Sequence, residues 1–175
     1  MAEPIAYLNG EIIPATQALL PIYDAGLIQG ATVSEFVRTF HHSPYRLNDH
    51  LDRLIQSLQI MTLDPGLRKP DFVRLCTEIL SHNRSLLPSQ TELGLIIFVT
   101  AGFYPTYAPT NVKPTRSGAT VCIHTFPLRL ELWAQRMRDG AKLITPSIRQ
   151  VPAICVDSRM KCRSRMHYYL ADLER

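Results

Sequence analysis

No stretch of this sequence approaches the ~18 consecutive apolar residues of a membrane-spanning helix. The opening "MAEPIAYLNG" lacks the basic-then-apolar order of a secretory signal. There is no CxxC pair: Cys76, Cys122, Cys155 and Cys162 stand apart, which argues against a zinc knuckle or disulfide framework and for isolated reduced thiols. No HExxH occurs, and the histidines have no carboxylate partners at ligand spacing, so no metal is expected. The glycines of "YDAGLIQGATVSE" match neither GxGxxG nor a phosphate loop. Ser34, Ser57 and Ser164 lack a nucleophile elbow. Net charge is +4 and the pI about 9.0, but basic residues cluster only over Arg159–Arg165, without the aromatic interleaving of a nucleic-acid surface. The expectation is a cytoplasmic globular protein that binds neither membrane nor nucleic acid.

What is present reads as a mixed α/β (α+β) chain. The 175 residues, 46% hydrophobic, suffice for one large domain or two small ones. "AYL" and "EII" flank Asn9-Gly10, the dipeptide that best tolerates the positive φ values of a tight hairpin. "LLPIYDAGLIQGA" reads as loop, and "TVSEFVRTF" alternates as a strand. "NDHLDRLIQSLQIM" is the clearest helix, capped by Asn48 or Asp49, with Leu51, Leu54, Ile55 and Leu58 as its buried stripe. His50, Arg53 and Ser57 share a neighbouring face. "KPDFVRLCTEIL" is a second helix with Pro70 in its first turn. "LGLIIFVT" reads as a strand buried on both sides. The proline-rich run after it reads as a linker, followed by strand "ATVCIHTF", helix "PLRLELWAQRMRDG", strand "AKLIT", and a helix from about Asp157. The expected division is a small N-terminal antiparallel-sheet-plus-helices domain over 1–110, a linker over 111–118, and the first part of a larger second domain over 119–175.

Two side chains stand out chemically. Lys161 lies in "DSRMKCRSRMHYYLA" among Arg159, Arg163 and Arg165, whose like charges disfavour an ammonium ion. Met160 and Met166, with Tyr168 beyond, can desolvate it. Both effects lower a lysine pKa, which suits an amine that attacks a carbonyl. A solvated lysine on a basic helix is the plainer alternative. Arg53, one position off the apolar stripe, is either an exposed arginine with its stem over the core or a fork for a phosphate.

Taken together, "YLNGEIIPATQALLPIYDAGLIQGATVSEFVRTF", "HLDRLIQSL" and "GAKLITPSIRQVPAICVDSRMKCRSRMHYYLA" resemble, in order and over nearly the whole chain, the class IV (fold type IV) pyridoxal-phosphate aminotransferases. That group includes branched-chain and D-amino-acid aminotransferases and aminodeoxychorismate lyase. The resemblance implies pyridoxal 5'-phosphate as cofactor, held covalently by Lys161, with Arg53 on its phosphate. It also implies a homodimer acting on an amino acid and a keto acid. Lys161 would further carry the proton between the substrate α-carbon and the cofactor.

The chain departs from the family pattern at Ala25, Ala31, Thr32, Ser34, Ala101 and Met166. The reading of amino transfer therefore has two rivals, elimination of the aminodeoxychorismate-lyase kind and a catalytically inactive relative serving in binding or assembly. Family members continue beyond the lysine segment. The expectation is that the natural chain runs past Arg175 and that these 175 residues alone are inactive.

Overall fold

The computed structural model describes residues 3–114 and 118–174. Its centre is a six-stranded sheet in which every neighbouring pair is antiparallel. The strands are β1 (Ile5–Leu8), β2 (Glu11–Pro14), β3 (Thr32–Phe40), β4 (Ser43–Pro44), β5 (Leu93–Thr100) and β6 (Thr120–Pro127), in spatial order β2-β1-β6-β5-β3-β4. The helices are α1 (Ala25–Ile28), α2 (Leu47–Ile60), α3 (Lys69–Ser85), α4 (Leu130–Asp139) and α5 (Met166–Leu173). The mixed α/β class read from the sequence is the class observed.

The β1–β2 hairpin turns at Asn9 and Gly10, with φ of 53° and 108°. Alternation then sorts the central strands. Val33 and Val37 of β3, Leu95, Ile97 and Val99 of β5, and Val121 and Ile123 of β6 enter one core. Leu51, Leu54 and Leu58 of α2 and Phe72, Leu75, Cys76 and Ile79 of α3 complete it. Burial pushes the Cys76 thiol up to about 12. Asn83, 3% exposed, ties α3 to the sheet: its side chain accepts from the Ile5 N–H and donates to the Ile5 carbonyl and Thr125 hydroxyl, each at 2.8 Å. Phe72 is wholly enclosed. Phe72→Ala is expected to cost about 3–5 kcal/mol in a urea titration. A loss below ~1 kcal/mol would mean that α3 does not anchor this core.

Several local expectations need correction. The loop before β3 contains the single-turn helix α1, capped by Asp24, whose carboxylate accepts the Gly26 N–H at 2.7 Å. Neither Asn48 nor Asp49 caps α2: the cap position is Arg46, at φ 51°, with its guanidinium paired to Asp49. On β5, Ile96 and Phe98 are only half-buried, because α2 and α3 cover one face of an antiparallel sheet and leave the other partly open. "AKLIT" forms no strand; Leu143 is 88% exposed, and no neighbouring strand among the described residues offers it a ladder.

The connection expected as a linker over 111–118 includes residues 115–117, which lie outside the described residues. Beyond it, Thr120–Pro127 returns to the same sheet and inserts between β1 and β5. The sheet therefore includes residues that the sequence-based division assigns to a second domain. No described residue after Leu128 is buried.

The largest correction concerns Lys161. The helix expected from about Asp157 begins only at Met166. Residues 161–163 are extended and lie antiparallel to β3: the Ser34 N–H donates to the Lys161 carbonyl at 3.1 Å, and the Arg163 N–H donates to the Thr32 carbonyl at 2.9 Å. The reason is the sheet edge. β4 pairs only with Thr39 and Phe40 of β3, so the start of β3 has backbone groups that need partners. A helix beginning at Asp157 would leave them unpaired.

Candidate active site

The site is built where the lysine segment crosses from β3 to α2. Ser57, fully enclosed on α2, is the joint. Its hydroxyl donates to the Arg53 carbonyl at 2.9 Å and accepts the Lys161 backbone N–H at 3.1 Å. The two residues singled out from sequence, Lys161 and Arg53, are thus 108 positions apart in the chain and share one bridging side chain. Gly30, at φ 66°, also approaches this segment; a Cβ there would lie 3.3 Å from Ser164.

Arg53 does not stand alone. Glu35 projects from β3 between Val33 and Val37, in the inward register, and is completely buried. Arg53 grips it with Nε to Oε1 at 2.7 Å and Nη2 to Oε2 at 2.6 Å, and His50 Nδ1 lies 2.8 Å from Oε2. The hydrogen bonds to Glu35 raise the Arg53 pKa above its ordinary value, and burial partly opposes them. The side chain is 47% exposed, and its Nη1 has no partner among the described residues. Glu35 orients the fork and leaves one edge of it available.

Lys161 is half-buried, and its pKa lies below the ordinary lysine value. Desolvation is the main cause; Glu35 pulls the other way, and Arg165, Arg53 and Arg163 add to the lowering. Arg159, expected among the like charges, is not one of them. It is bound to Asp157, Nη2 to Oδ2 at 2.6 Å, and holds that carboxyl down at about 2. Met160 packs against the core beside Lys161, whereas Met166 is 66% exposed. Arg163 lies over the Phe98 ring at 5.2 Å and Arg165 over Tyr168 at 5.7 Å. Neither has a carboxylate partner among the described residues.

An open cavity of about 520 Å³ adjoins this amine, with Val156, Met160, Lys161, Arg165, His167 and Tyr168 in its wall. That volume lies within the range of small-molecule sites. The cavity wall supplies one amine with a lowered pKa and one guanidinium without a carboxylate partner among the described residues, Arg165; Arg163 and the free edge of Arg53 lie outside that wall. Chemically this fits a small ligand that carries both a carbonyl and an anionic group. Among the described residues, no group of three or more His, Cys, Asp and Glu side chains could hold a metal ion.

Sequence reasoning singled out Lys161 and Arg53 but overlooked Glu35, which the structure pairs with Arg53. The signal was present in the alternation: a carboxylate in phase with Val33 and Val37 must be buried, and a buried carboxylate needs a partner.

The sheet and helices have the fold of solved branched-chain aminotransferases. The amino-transferase class IV family model matches residues 32–175, and the chain belongs to that family. The branched-chain-amino-acid aminotransferase-like protein 1 of Arabidopsis thaliana is 25% identical, over 99% of this chain and 30% of its own length. The D-alanine aminotransferase of Staphylococcus haemolyticus is 25% identical over 62% of this chain and 38% of its own. Among solved structures, the branched-chain aminotransferase of the archaeon Thermoproteus uzoniensis with norvaline superposes with a TM-score of 0.74 at 19% identity, over 97% of this chain and 55% of that one. The chain thus spans about half the length of that structure and less of the two curated relatives.

Proposed function

We propose that this chain carries the cofactor lysine of a pyridoxal-phosphate-dependent enzyme that transfers an amino group between an amino acid and a keto acid. The observation that carries the reading is the half-buried Lys161, with its lowered pKa and its backbone N–H tied through Ser57 to the helix that presents Arg53. Pyridoxal phosphate supplies the electron sink when bound. The residues of this chain have simpler tasks. Lys161 provides a neutral amine for covalent attachment of the cofactor and, when free of it, moves a proton at its Nζ. Arg53 offers its free edge to the phosphate, with Glu35 and His50 holding the fork in place. Family membership supports the same reading.

Three further parts belong to this proposal. The division between a first and a second unit falls after Leu128, where β6 has ended and burial ceases, rather than at 111–118. Assembly as a homodimer fits the exposed apolar side chains Leu19, Ile22 and Leu27, 74%, 68% and 67% exposed. A cytoplasmic site of action fits four free cysteines, two of them buried.

The test is chemical trapping. The protein is incubated with pyridoxal phosphate, reduced with borohydride and digested. Mass analysis should find one phosphopyridoxyl group per chain, on the peptide containing Lys161. Label spread over the other lysines, or no label, would remove the basis of the reading.

A further inference from the structure

The cavity beside Lys161 contains three formally charged groups in its wall: Asp157, Lys161 and Arg165. Asp157 is neutralised by Arg159. That leaves Arg165 as a guanidinium on the wall with no counter-ion among the described residues. It is also held in place. Its Cζ lies 5.7 Å from the Tyr168 ring centroid, and the His167 ring stacks obliquely on Tyr168 at 4.5 Å. A guanidinium stacked on an aromatic face keeps its planar edge for a bidentate partner. The other two arginines near Lys161 are placed differently: Arg53 is bound to Glu35, and Arg163 lies over Phe98 outside the cavity wall.

We propose that Arg165 is a specificity-determining residue of this site, which binds the carboxylate of the amino acid or 2-oxo acid. This rests on the amino-transfer reading given above. A planar carboxylate matches the guanidinium fork with two parallel hydrogen bonds, and the pair is stronger than a neutral contact. Arg165 lies four residues from Lys161 in the same cavity wall. An acid held there by its carboxylate presents its neighbouring carbon to the lysine side of the cavity. A neutral amide of the same shape lacks the charge and loses this anchor.

The experiment uses the full 175-residue chain and two readouts. Calorimetry compares 2-oxobutanoate with 2-oxobutanamide on wild type, Arg165→Gln and Arg165→Lys. The visible absorption of added pyridoxal phosphate is recorded on the same three proteins, and a thermal melt confirms that each is folded. Wild type should prefer the acid at least about tenfold. Arg165→Gln should lose that preference, and Arg165→Lys should recover part of it. Equal binding of acid and amide by wild type, no binding of either, or an unchanged preference in Arg165→Gln overturns the assignment. If wild type shows no cofactor absorption but its acid preference still depends on Arg165, the carboxylate contact stands and the enzymatic reading falls.

Discussion

Lys161→Ala is expected to abolish the visible absorption that pyridoxal phosphate acquires on the wild-type protein, whereas Lys142→Ala leaves it intact. The chain has four lysines. Lys69 is engaged with Asp52 at 2.5 Å, and Lys113 and Lys142 are exposed. The pKa of Lys161 is lowered, and burial is the main cause. Because the shift is downward, the neutral amine becomes abundant at a lower pH than for an ordinary lysine at 10.5. Cofactor attachment should therefore accelerate with pH through a midpoint below 10.5, and a peptide lysine under the same conditions should titrate later. The sign for stability follows from linkage. In the window between the lowered folded value and 10.5, the unfolded chain binds more protons, so stability rises with pH. Below that window the half-buried ammonium is a fixed cost to the fold. Lys161→Met should accordingly be more stable than wild type at neutral pH, with the difference shrinking as the pH rises through the window. A stability gap independent of pH would contradict this account.

Arg53→Met is expected to destabilise the protein by about 3 kcal/mol, because it strands the carboxylate of Glu35 in the core. For a chain of this size that corresponds to a melting temperature lower by roughly 6–12 °C. His50 remains 2.8 Å from Oε2, which keeps the expected loss at the lower end for a broken buried pair. Glu35→Gln should cost less, about 1–2 kcal/mol. It removes the buried charge, and the half-exposed Arg53 can turn to water. The decisive measurement is the double variant Glu35→Gln/Arg53→Met. It should be more stable than Arg53→Met alone, since the damage in the single variant is the unpaired charge rather than lost packing. If the two losses simply add, Glu35 and Arg53 are not energetically coupled. In that case the view of Glu35 as the group that positions the fork is wrong.

Much of this architecture is legible without coordinates, and the reasons are local. The Asn9-Gly10 turn has backbone angles that few other residue pairs tolerate. The stripe Leu51, Leu54, Leu58 has helical spacing, and these residues are buried on α2. The face shared by His50, Arg53 and Ser57 likewise follows from helical geometry. Two of those residues turn to Glu35, while Ser57 joins Arg53 to the lysine segment. The local signals failed where pairing had to be decided. "AKLIT" has strand composition but no ladder, and β6 lies on the far side of a proline-rich connection from the sheet that it enters.

Composition and periodicity by themselves determined the hairpin, the strand alternation and the two amphipathic helices. Each of these depends on residues within one or two turns of each other, where backbone sterics and burial of one face act directly. Only the tertiary structure decided that residues 161–163 lie along β3 rather than opening a helix. The open backbone groups at the start of β3 are a property of the assembled sheet, and no local pattern near Lys161 encodes them. The same assembly brought Ser57, Arg53 and Glu35 around that lysine and exchanged Arg159 for Arg53 among the charges that press on its amine.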